Sequence, residues 1–431
     1  MKLFLLELNE INFEAIRHYI RSGISLPGFE RIIKEGLLTT KAEEKYEELE
    51  PWIQWPSVHT GKTANEHKVF RLGDFVNSEE QQLFEKIEKS GYRVGAVSPM
   101  NASNQLMSPA YFIPDPWTKT LADNSFFSKA VASAVSQAVN DNSQSKLTAL
   151  SIIKLCISFV FLVDPKRFFS MIYYAVNSRG KSWRKALFLD MLLYEFHKTL
   201  FRRKNPEFTT LFLNAGAHIQ HHYFFNSSFV KSELKNPEWY VDESDDPFLE
   251  MLFVYDSMLQ DIRKIPDTEI IVATGLSQKP YEKLKFYYRL KNHEEFLNDI
   301  GVSFSKVIPR MSRDFLIIFD TDYECSIAQE KLSNVFVDKN TRLFGEIDNR
   351  GKELFVVLTY PHEIKSGITF SINEKVSLLS DHVAFVAIKN GEHQSKGFAF
   401  FSQGVAKHAP EDGSHVSKIH NTILSYFGIS S

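Results

Sequence analysis

Side chains able to carry acid and base chemistry cluster at four places in the sequence. The clusters are Glu7 and Glu10 around Asn9; Glu48 and Glu50; His59, His67 and Asp74; and His218, His221 and His222. A carboxylate or a neutral imidazole serves as a general base when its pKa lies near the working pH. If the fold brings the clusters together, the chain can do general acid–base chemistry, and the catalytic candidates are His218, Glu50, Glu10 and His59.

Alternating strand and helix patterns would position these clusters. Residues 3–8 form an apolar run typical of a buried strand, and helical patterns follow at about 12–22 and 26–36. Further strands are predicted at 92–97, 209–213 and 269–273. This alternation predicts an α/β fold with a mostly parallel, helix-covered sheet, whose ligands gather at the carboxyl ends of the strands.

The pattern also divides the chain into segments. Helix-period apolar residues with basic flanks predict a helical insertion at 120–204, and short strand-like runs predict a small α/β cap subdomain at 281–379. The remaining residues, 1–119, 205–280 and 380–431, would form the core.

Composition limits the class of protein. Hydrophobic residues make up 43% of the 431 and aromatic residues 13%, enough for a sizeable core. The net charge of -3 provides no global field for nucleic acid, so none is expected as a partner. Cys156 and Cys325 are too few for a disulfide framework and suit a reducing compartment. Because Glu7 interrupts the apolar N-terminus, no signal peptide is expected, and the prediction is a cytoplasmic protein.

One segment favours contact with a membrane surface. Residues 147–163 are apolar but contain Lys154, and they are shorter than the roughly 20 residues that a membrane span needs. Together with Lys166 and Arg167, the segment 147–174 suits an interfacial helix. A peripheral location at the inner face of the membrane and contact with a lipid-linked acceptor are therefore expectations.

Short motifs in a fixed order carry a resemblance to a known family. They are Leu3–Glu10 with Leu26–Phe29, Trp55–Gly61 with His67, Gly91–Gly95, Asn214–His218, Ile270–Gly275, Glu392–Gly397 and Asn421–Ile429. Over nearly the whole chain they resemble the alkaline phosphatase superfamily, on its type I phosphodiesterase and nucleotide pyrophosphatase branch. The resemblance implies an alkaline-phosphatase-like central sheet flanked by helices.

The resemblance also implies a metal site. Family members hold two divalent metals with a Thr, Ser or Cys nucleophile between them. The matching positions give Asn214, His218 and His393 for one metal, and Asn9, Thr274 and Gly275 for the other. The nucleophile position falls on Pro51, and a shift of one residue would place Glu50 there. The second set has no carboxylate or imidazole, so we expect at most one metal, Zn or Mn, or none.

Other polar and aromatic residues near these motifs are candidates for substrate binding. They are Asn9, Trp55, Ser57, His67, Arg71, His222 and Thr274. Arg71 could hold a phosphate or carboxylate in a bidentate manner.

Three functions remain open from the sequence. The first is an enzyme that hydrolyses or transfers a phosphate-containing or anionic glycan-type substrate through a remodelled His/Asn/Glu site. The second is a metal-independent transferase, such as a glycosyltransferase, of surface-polysaccharide assembly. The third is a catalytically inactive relative that binds a ligand.

Overall fold

A computed structural model describes residues 1–140, 148–310, 313–337, 341–372 and 375–430. The strands are β1 (Leu3–Leu8), β2 (Leu38–Lys41), β3 (Val94–Val97), β4 (Tyr111–Ile113), β5 (Phe208–Leu213), β6 (Glu269–Ala273), β7 (Ser277–Leu290), β8 (Lys306–Pro309), β9 (Asp314–Ile318), β10 (Phe336–Val337), β11 (Thr341–Arg342), β12 (Phe344–Asn349), β13 (Glu353–Leu358), β14 (Thr369–Ile372), β15 (Lys375–Leu378), β16 (Val383–Gln394), β17 (Lys396–Phe401) and β18 (Ser414–His415).

The helices alternate with these strands along much of the chain. They are α1 (Phe13–Arg21), α2 (Pro27–Gly36), α3 (Pro51–Thr60), α4 (Ala64–His67), α5 (Leu83–Lys89), α6 (Phe126–Asn140), α7 (Ala149–Leu162), α8 (Phe168–Val176), α9 (Trp183–Lys204), α10 (Ala215–Tyr223), α11 (Pro247–Ile262), α12 (His293–Asp299), α13 (Asp322–Ser333), α14 (Leu379–His382), α15 (Gln403–Ala406) and α16 (Lys418–Tyr426). Across the described ranges, no helix is long and apolar enough to cross a membrane.

The chain forms two compact units, one of Met1–Pro280 with Gly391–Ser431 and one of Tyr281–Asn390. The first unit is built on an eight-stranded sheet in the order β18-β2-β17-β6-β1-β5-β3-β4. Its central strands, from β6 to β4, are all parallel, while β17 runs antiparallel to both of its neighbours. The predicted α/β class with a mostly parallel, helix-flanked sheet is confirmed.

The sheet register explains why polar groups meet at one edge. Leu8, the last residue of β1, pairs with Leu213, the last residue of β5, and Glu7 pairs with Ala273, the last residue of β6. All six residues of β1 are buried because helices cover both faces of the sheet. The three central strands therefore end level with one another, and the residues that follow them share one edge.

Helices fill the segment predicted as an insertion. Within 120–204, α6 packs on α7 and α8 packs on α9, while α9 also contacts α10. Residues 141–147 of the predicted segment lie outside the described residues. This helical region belongs to the first unit.

The second unit includes the whole predicted cap segment, 281–379, and extends to Asn390. It contains two four-stranded sheets, β12-β13-β9-β8 and β11-β10-β14-β15, with antiparallel pairing wherever the register is described. Helices α12, α13 and α14 belong to it. The chain enters this unit along β7 and leaves it along β16.

Candidate metal centre

Glu10 projects from the carboxyl end of β1 through an unusual backbone conformation. Its φ of 61° lies in the left-handed region, which costs a residue with a side chain on the order of 1 kcal/mol or more. Three contacts hold it there: its N–H donates to the Thr274 carbonyl at 3.0 Å, its carbonyl accepts from Gln220 Nε2 at 2.9 Å, and Asn9 N–H donates to the Leu213 carbonyl at 3.1 Å. The turn therefore fixes where the Glu10 carboxylate points.

His221 lies on α10, whose first turn is anchored by a buried carboxylate on α9. Asp190 accepts hydrogen bonds from the backbone N–H of Asn214 at 3.3 Å and of Ala215 at 2.8 Å, and from the Tyr255 hydroxyl at 2.5 Å. A negative group at a helix N-terminus satisfies its free N–H groups. Burial raises the pKa of Asp190 to about 6, although these hydrogen bonds favour its charged form. Because Asp190 anchors the first turn of α10, it also helps to set the position of His221 on that helix.

A close approach between α10 and the loop after β1 sets the rotation of this helix. A Cβ added at Gly216 would lie 2.1 Å from Ile11 Cδ1. A side chain here would force the buried Ile11 side chain to shift, and the Gly216 N–H also donates to the Tyr255 hydroxyl at 3.1 Å. The contact brings the histidines of α10 near Glu10.

His393 reaches the site from β16, on the part of that strand within the first unit. Two residues earlier, a Cβ at Gly391 would lie 2.2 Å from Gln278 Oε1 and 2.7 Å from the Gln220 carbonyl. The strand can therefore pass directly against the two glutamines. The absence of a side chain at Gly391 lets His393 approach Glu10.

The three side chains meet in a small triangle of ligand atoms. His221 Nε2 lies 3.1 Å and His393 Nε2 lies 3.0 Å from Glu10 Oε2, and the two Nε2 atoms are 3.2 Å apart. Gln278 Nε2 donates to the same Glu10 oxygen at 2.5 Å, while Asn9 Nδ2 donates to Glu10 Oε1 at 3.1 Å. Glu10 is 1% exposed, so its charge depends on these partners.

The charges of the site stabilise an ionised Glu10. Burial by itself would raise the pKa of Glu10, but the charges and hydrogen bonds of His393 and His221 outweigh burial and hold that pKa well below its usual range. Burial lowers the pKa of His393, but Glu10, the charge of Glu50 and a backbone hydrogen bond with Leu49 give a net rise. The triangle is a tightly coupled acidic and imidazole cluster.

The second nitrogen of His393 has its own carboxylate neighbour. Glu50 Oε2 lies 3.6 Å from His393 Nδ1. Metal-ligating histidines usually present one ring nitrogen to the metal while a carboxylate or carbonyl orients the other. His393 has this arrangement, with Glu50 and the Leu49 backbone on the side away from Glu10.

The triangle fits a divalent cation. Ligand atoms of a tetrahedral zinc site with bonds of about 2.0–2.1 Å lie roughly 3.3 Å apart, close to the separations found here. Two histidines and one carboxylate are a known set for catalytic zinc, which keeps a fourth position open. Of the His, Cys, Asp and Glu residues in the described ranges, Glu10, His221 and His393 form the group whose ligand atoms lie within 4.8 Å of one another.

This grouping differs from the metal set predicted by the resemblance. His393 belongs to both sets, whereas the other two members of this group are Glu10 and His221, and the ligand roles of His218 and Asn214 remain predictions. The Asn214 amide oxygen instead accepts from Asn9 Nδ2 at 2.8 Å. The His218 ring contacts His222 at a centroid distance of 4.9 Å, and burial lowers the pKa of His218 to about 4.

Several other predicted residues lie around the site as supports. Trp55 is fully buried, and its Nε1 donates to Asn9 Oδ1 at 2.8 Å, which orients the Asn9 amide toward Glu10 and Asn214. The buried Thr274 hydroxyl accepts from the Phe398 N–H at 2.9 Å. Its carbonyl accepts from Glu10. Asn9, Trp55 and Thr274 therefore hold the centre in place, and their substrate-binding roles remain predictions.

Three predicted residues are placed in the protein interior. His59 is fully buried and its Nε2 lies 3.1 Å from Glu7 Oε1. His67 Nδ1 accepts from the Val69 N–H at 3.0 Å, so its Nε2 carries the proton and faces Ser57 Oγ at 3.0 Å. Burial lowers the pKa of His67 to about 4. Solvent does not reach His59 or Ser57, and the catalytic role of His59 and the substrate-binding roles of Ser57 and His67 remain predictions.

His222 and Arg71 lie at or near the surface, whereas Pro51 is buried. His222 is half-buried on α10, and its ring centroid is 6.0 Å from that of His221. Arg71 is exposed, and its carbonyl accepts from Asn101 Nδ2 at 3.1 Å. Pro51 is the first residue of α3 and Glu50 is its N-cap. Gln220 and Gln278, which hold Glu10, carried no signal in the sequence because amides do not titrate and match no motif.

Comparisons with known proteins give similarities only to solved structures. No family profile and no curated protein matches the chain. The structure of phosphonoacetate hydrolase from Sinorhizobium meliloti 1021 in complex with phosphonoacetate aligns with 12% identity and a TM-score of 0.43, over 99% of this chain and 96% of that one. Murine ectonucleotide pyrophosphatase/phosphodiesterase 5 aligns with 9% identity and a TM-score of 0.42, over 100% and 96% of the two chains.

An alkaline phosphatase from Thermus thermophilus aligns with 11% identity and a TM-score of 0.44, over 100% of this chain and 92% of that one. Identities of 9–12% say nothing about the chemistry of this chain.

Proposed function

We propose that this chain is an enzyme that binds one divalent cation at Glu10, His221 and His393 and hydrolyses or transfers a phosphate-containing, anionic substrate. The observation that carries the proposal is the convergence of two imidazole Nε2 atoms on one buried carboxylate oxygen, with separations of 3.0–3.2 Å. When bound, a Zn²⁺ or Mn²⁺ ion supplies Lewis-acid stabilisation of the charge that develops on phosphoryl oxygens.

The side chains of this centre have distinct tasks in the proposal. Glu10 supplies negative charge, and Gln278 and Asn9 each hold one of its two oxygens. His221 and His393 supply neutral nitrogen ligands, and Glu50 orients the His393 ring. Two neutral ligands and one carboxylate leave a net positive charge on the centre with a divalent ion, which favours binding of an anionic group.

The attacking group comes from water or an acceptor in this proposal. Pro51, at the position that the resemblance gives to the nucleophile, has no side chain that can attack. Water or an acceptor hydroxyl would attack phosphorus, the bond from phosphorus to the leaving oxygen would break, and one proton would pass from the attacking group to a base. His218, three residues before His221 on α10, is the candidate base; burial lowers its pKa to about 4, so it is neutral at pH 7 but accepts a proton less readily than an ordinary histidine.

Hydrolysis of bis(4-nitrophenyl) phosphate, with added Zn²⁺ or Mn²⁺ and with a chelator, tests the proposal. Wild type should turn over only with metal, and His221→Ala and His393→Ala should lose both activity and metal. His218→Ala should lose activity and keep the metal, and His18→Ala, a partly exposed histidine on α1, should keep both. Metal binding without turnover of this diester or of the matching monoester would contradict the enzymatic part of the proposal.

A further inference from the structure

Helix α7 exposes an apolar stripe where a surface helix normally exposes polar residues. The exposed residues follow one face of the helix at successive turns, and they are Ile152, Ile153, Cys156, Ile157, Val160 and Phe161. On the opposite face, Ser151 and Ser158 are buried, and Ser158 Oγ donates to the Lys154 carbonyl at 2.9 Å. The apolar stripe of an amphipathic helix normally faces the core. The inward face of α7 also carries the buried Leu162, so this helix is apolar on its exposed face as well as on its buried one.

Helix α8 repeats the same arrangement next along the chain. Phe169, Ile172, Tyr173 and Val176 are exposed at the spacing i, i+3, i+4 and i+7, and Phe169 is 85% exposed. Its buried residue is Met171. Two consecutive helices therefore expose apolar stripes. Single exposed apolar residues are ordinary on protein surfaces, whereas contiguous patches mark a binding surface.

Basic residues border these stripes. The Arg203 guanidinium donates to the Phe161 carbonyl at 2.9 Å, and Arg202 and Arg203 line one shallow cavity with Val160 and Phe161. Lys166 is exposed between the two helices and Arg179 is exposed after α8. In the sequence from 148 to 185, Asp164 is the one acidic residue. An apolar stripe bordered by positive charge suits the headgroup region of an anionic lipid bilayer.

We propose that α7 and α8, with Arg202, Arg203 and Lys166, form a docking surface for an anionic lipid bilayer. The helices would lie in the plane of the membrane interface, with the apolar stripes inserted among acyl chains and the basic groups at lipid phosphates. Helix α7 has 14 residues, about 21 Å of helix, which is too short for a hydrocarbon core of about 30 Å. The surface rests on the membrane and does not cross it.

Charge argues against a second copy of the chain as the occupant. In a two-fold symmetric dimer the same patch meets itself. Arg202, Arg203 and Lys166 would then border the identical basic groups of the other copy, and like charges at an interface are unfavourable. An anionic bilayer matches both features of the surface, because its acyl chains accept the apolar stripes and its phosphates attract the basic residues.

Flotation of the full chain with vesicles tests the docking surface. Vesicles of phosphatidylcholine alone are neutral, and vesicles that also contain phosphatidylglycerol are anionic. Comparing the two distinguishes binding that needs negative lipid charge from binding to any lipid surface. Wild type should float with the anionic vesicles, and added salt should reduce the bound fraction. Phe161→Ser with Phe169→Ser should reduce binding by at least about tenfold, and Arg202→Glu with Lys166→Glu should do the same.

The matched control is Met107→Ser with Leu121→Ser, two large apolar residues that are 92% and 82% exposed outside this surface. These variants should float like wild type, and circular dichroism should show that all variants are folded. The proposal is overturned if wild type does not bind anionic vesicles, or if the α7 and α8 variants bind as well as wild type. It is also overturned if light scattering shows a dimer that Phe161→Ser with Phe169→Ser dissociates.

Discussion

The Nε2 atoms of His221 and His393 lie 3.2 Å apart, and both face the same Glu10 oxygen. If both nitrogens carried protons, two N–H groups and the Gln278 amide would all donate to that oxygen, and the two N–H groups would be forced side by side. With one nitrogen protonated, its N–H would donate to the other nitrogen or to Glu10, and with both presenting lone pairs a cation would be held by all three atoms. The separations match those of ligand atoms around one tetrahedral divalent ion, which is the geometry on which the proposed metal centre rests.

Gln278 should act as a positioning residue for this centre. Its Nε2 donates to Glu10 Oε2 at 2.5 Å and to the Ala217 carbonyl at 3.1 Å. Gln278→Ala removes the donor that orients the carboxylate, so we expect metal affinity to fall by about 10–100-fold, measured by competition with a chelator of known affinity. Gln82→Ala, a buried glutamine that donates to the Ser103 carbonyl, is the control and should leave metal affinity unchanged. Equal affinities for wild type and Gln278→Ala would refute this role.

The contact between Gly216 and Ile11 should control the stability of α10. Gly216→Ala gains up to about 1 kcal/mol of helix propensity, but the new Cβ meets Ile11 Cδ1 at 2.1 Å. We expect a net loss of about 1–3 kcal/mol in the free energy of unfolding, measured by urea denaturation. Ile11→Val removes the clashing carbon, so the double variant should recover much of this loss. If the loss in the double variant equals the sum of the losses in Gly216→Ala and Ile11→Val, the contact with Ile11 is not what disfavours a side chain at position 216.

Glu85 should make stability depend on pH. The carboxylate is 4% exposed on α5, and burial raises its pKa to about 7 from an ordinary 4.5, although Gln82 donates to it. Folding then favours the protonated form, so its contribution to stability is complete below pH 4.5 and is lost as pH rises through 7. Glu85→Gln stays neutral at every pH.

The free energy of unfolding of Glu85→Gln relative to wild type should therefore rise between pH 4.5 and 8, by up to about 3 kcal/mol. Denaturant titrations at several pH values measure it. The exposed Glu79→Gln is the control for loss of one charge. A relative stability that does not change across this range would show that Glu85 is not penalised by burial.

The core strands could be predicted from sequence because they are buried on both faces and appear as continuous apolar runs. Strands predicted at 3–8, 209–213 and 269–273 correspond to Leu3–Leu8, Phe208–Leu213 and Glu269–Ala273. The gathering of polar residues at their carboxyl ends follows from the parallel topology. This part of the fold could be predicted because it depends on the local order of apolar and polar residues, which can be read from a single sequence.

The choice between His218 and His221 could not be made from sequence. The two residues are three apart on α10 and lie on neighbouring sides of the helix, so helix rotation decides which one faces Glu10. That rotation depends on the Asp190 cap and the Gly216 contact with Ile11, both of which are tertiary. The left-handed backbone conformation of Glu10 could not be predicted from the sequence either, because residues other than glycine seldom adopt it.

Metal content of the purified full chain tests the central claim most directly. The protein should be loaded with Zn²⁺ or Mn²⁺, passed through a desalting column and analysed by elemental mass spectrometry together with His221→Ala, His393→Ala and His218→Ala. We expect one ion for each wild-type chain, one for His218→Ala, and a near-complete loss for His221→Ala and His393→Ala. A wild type without bound metal, or a loss in His218→Ala with retention in His221→Ala, would contradict a metal centre at Glu10, His221 and His393.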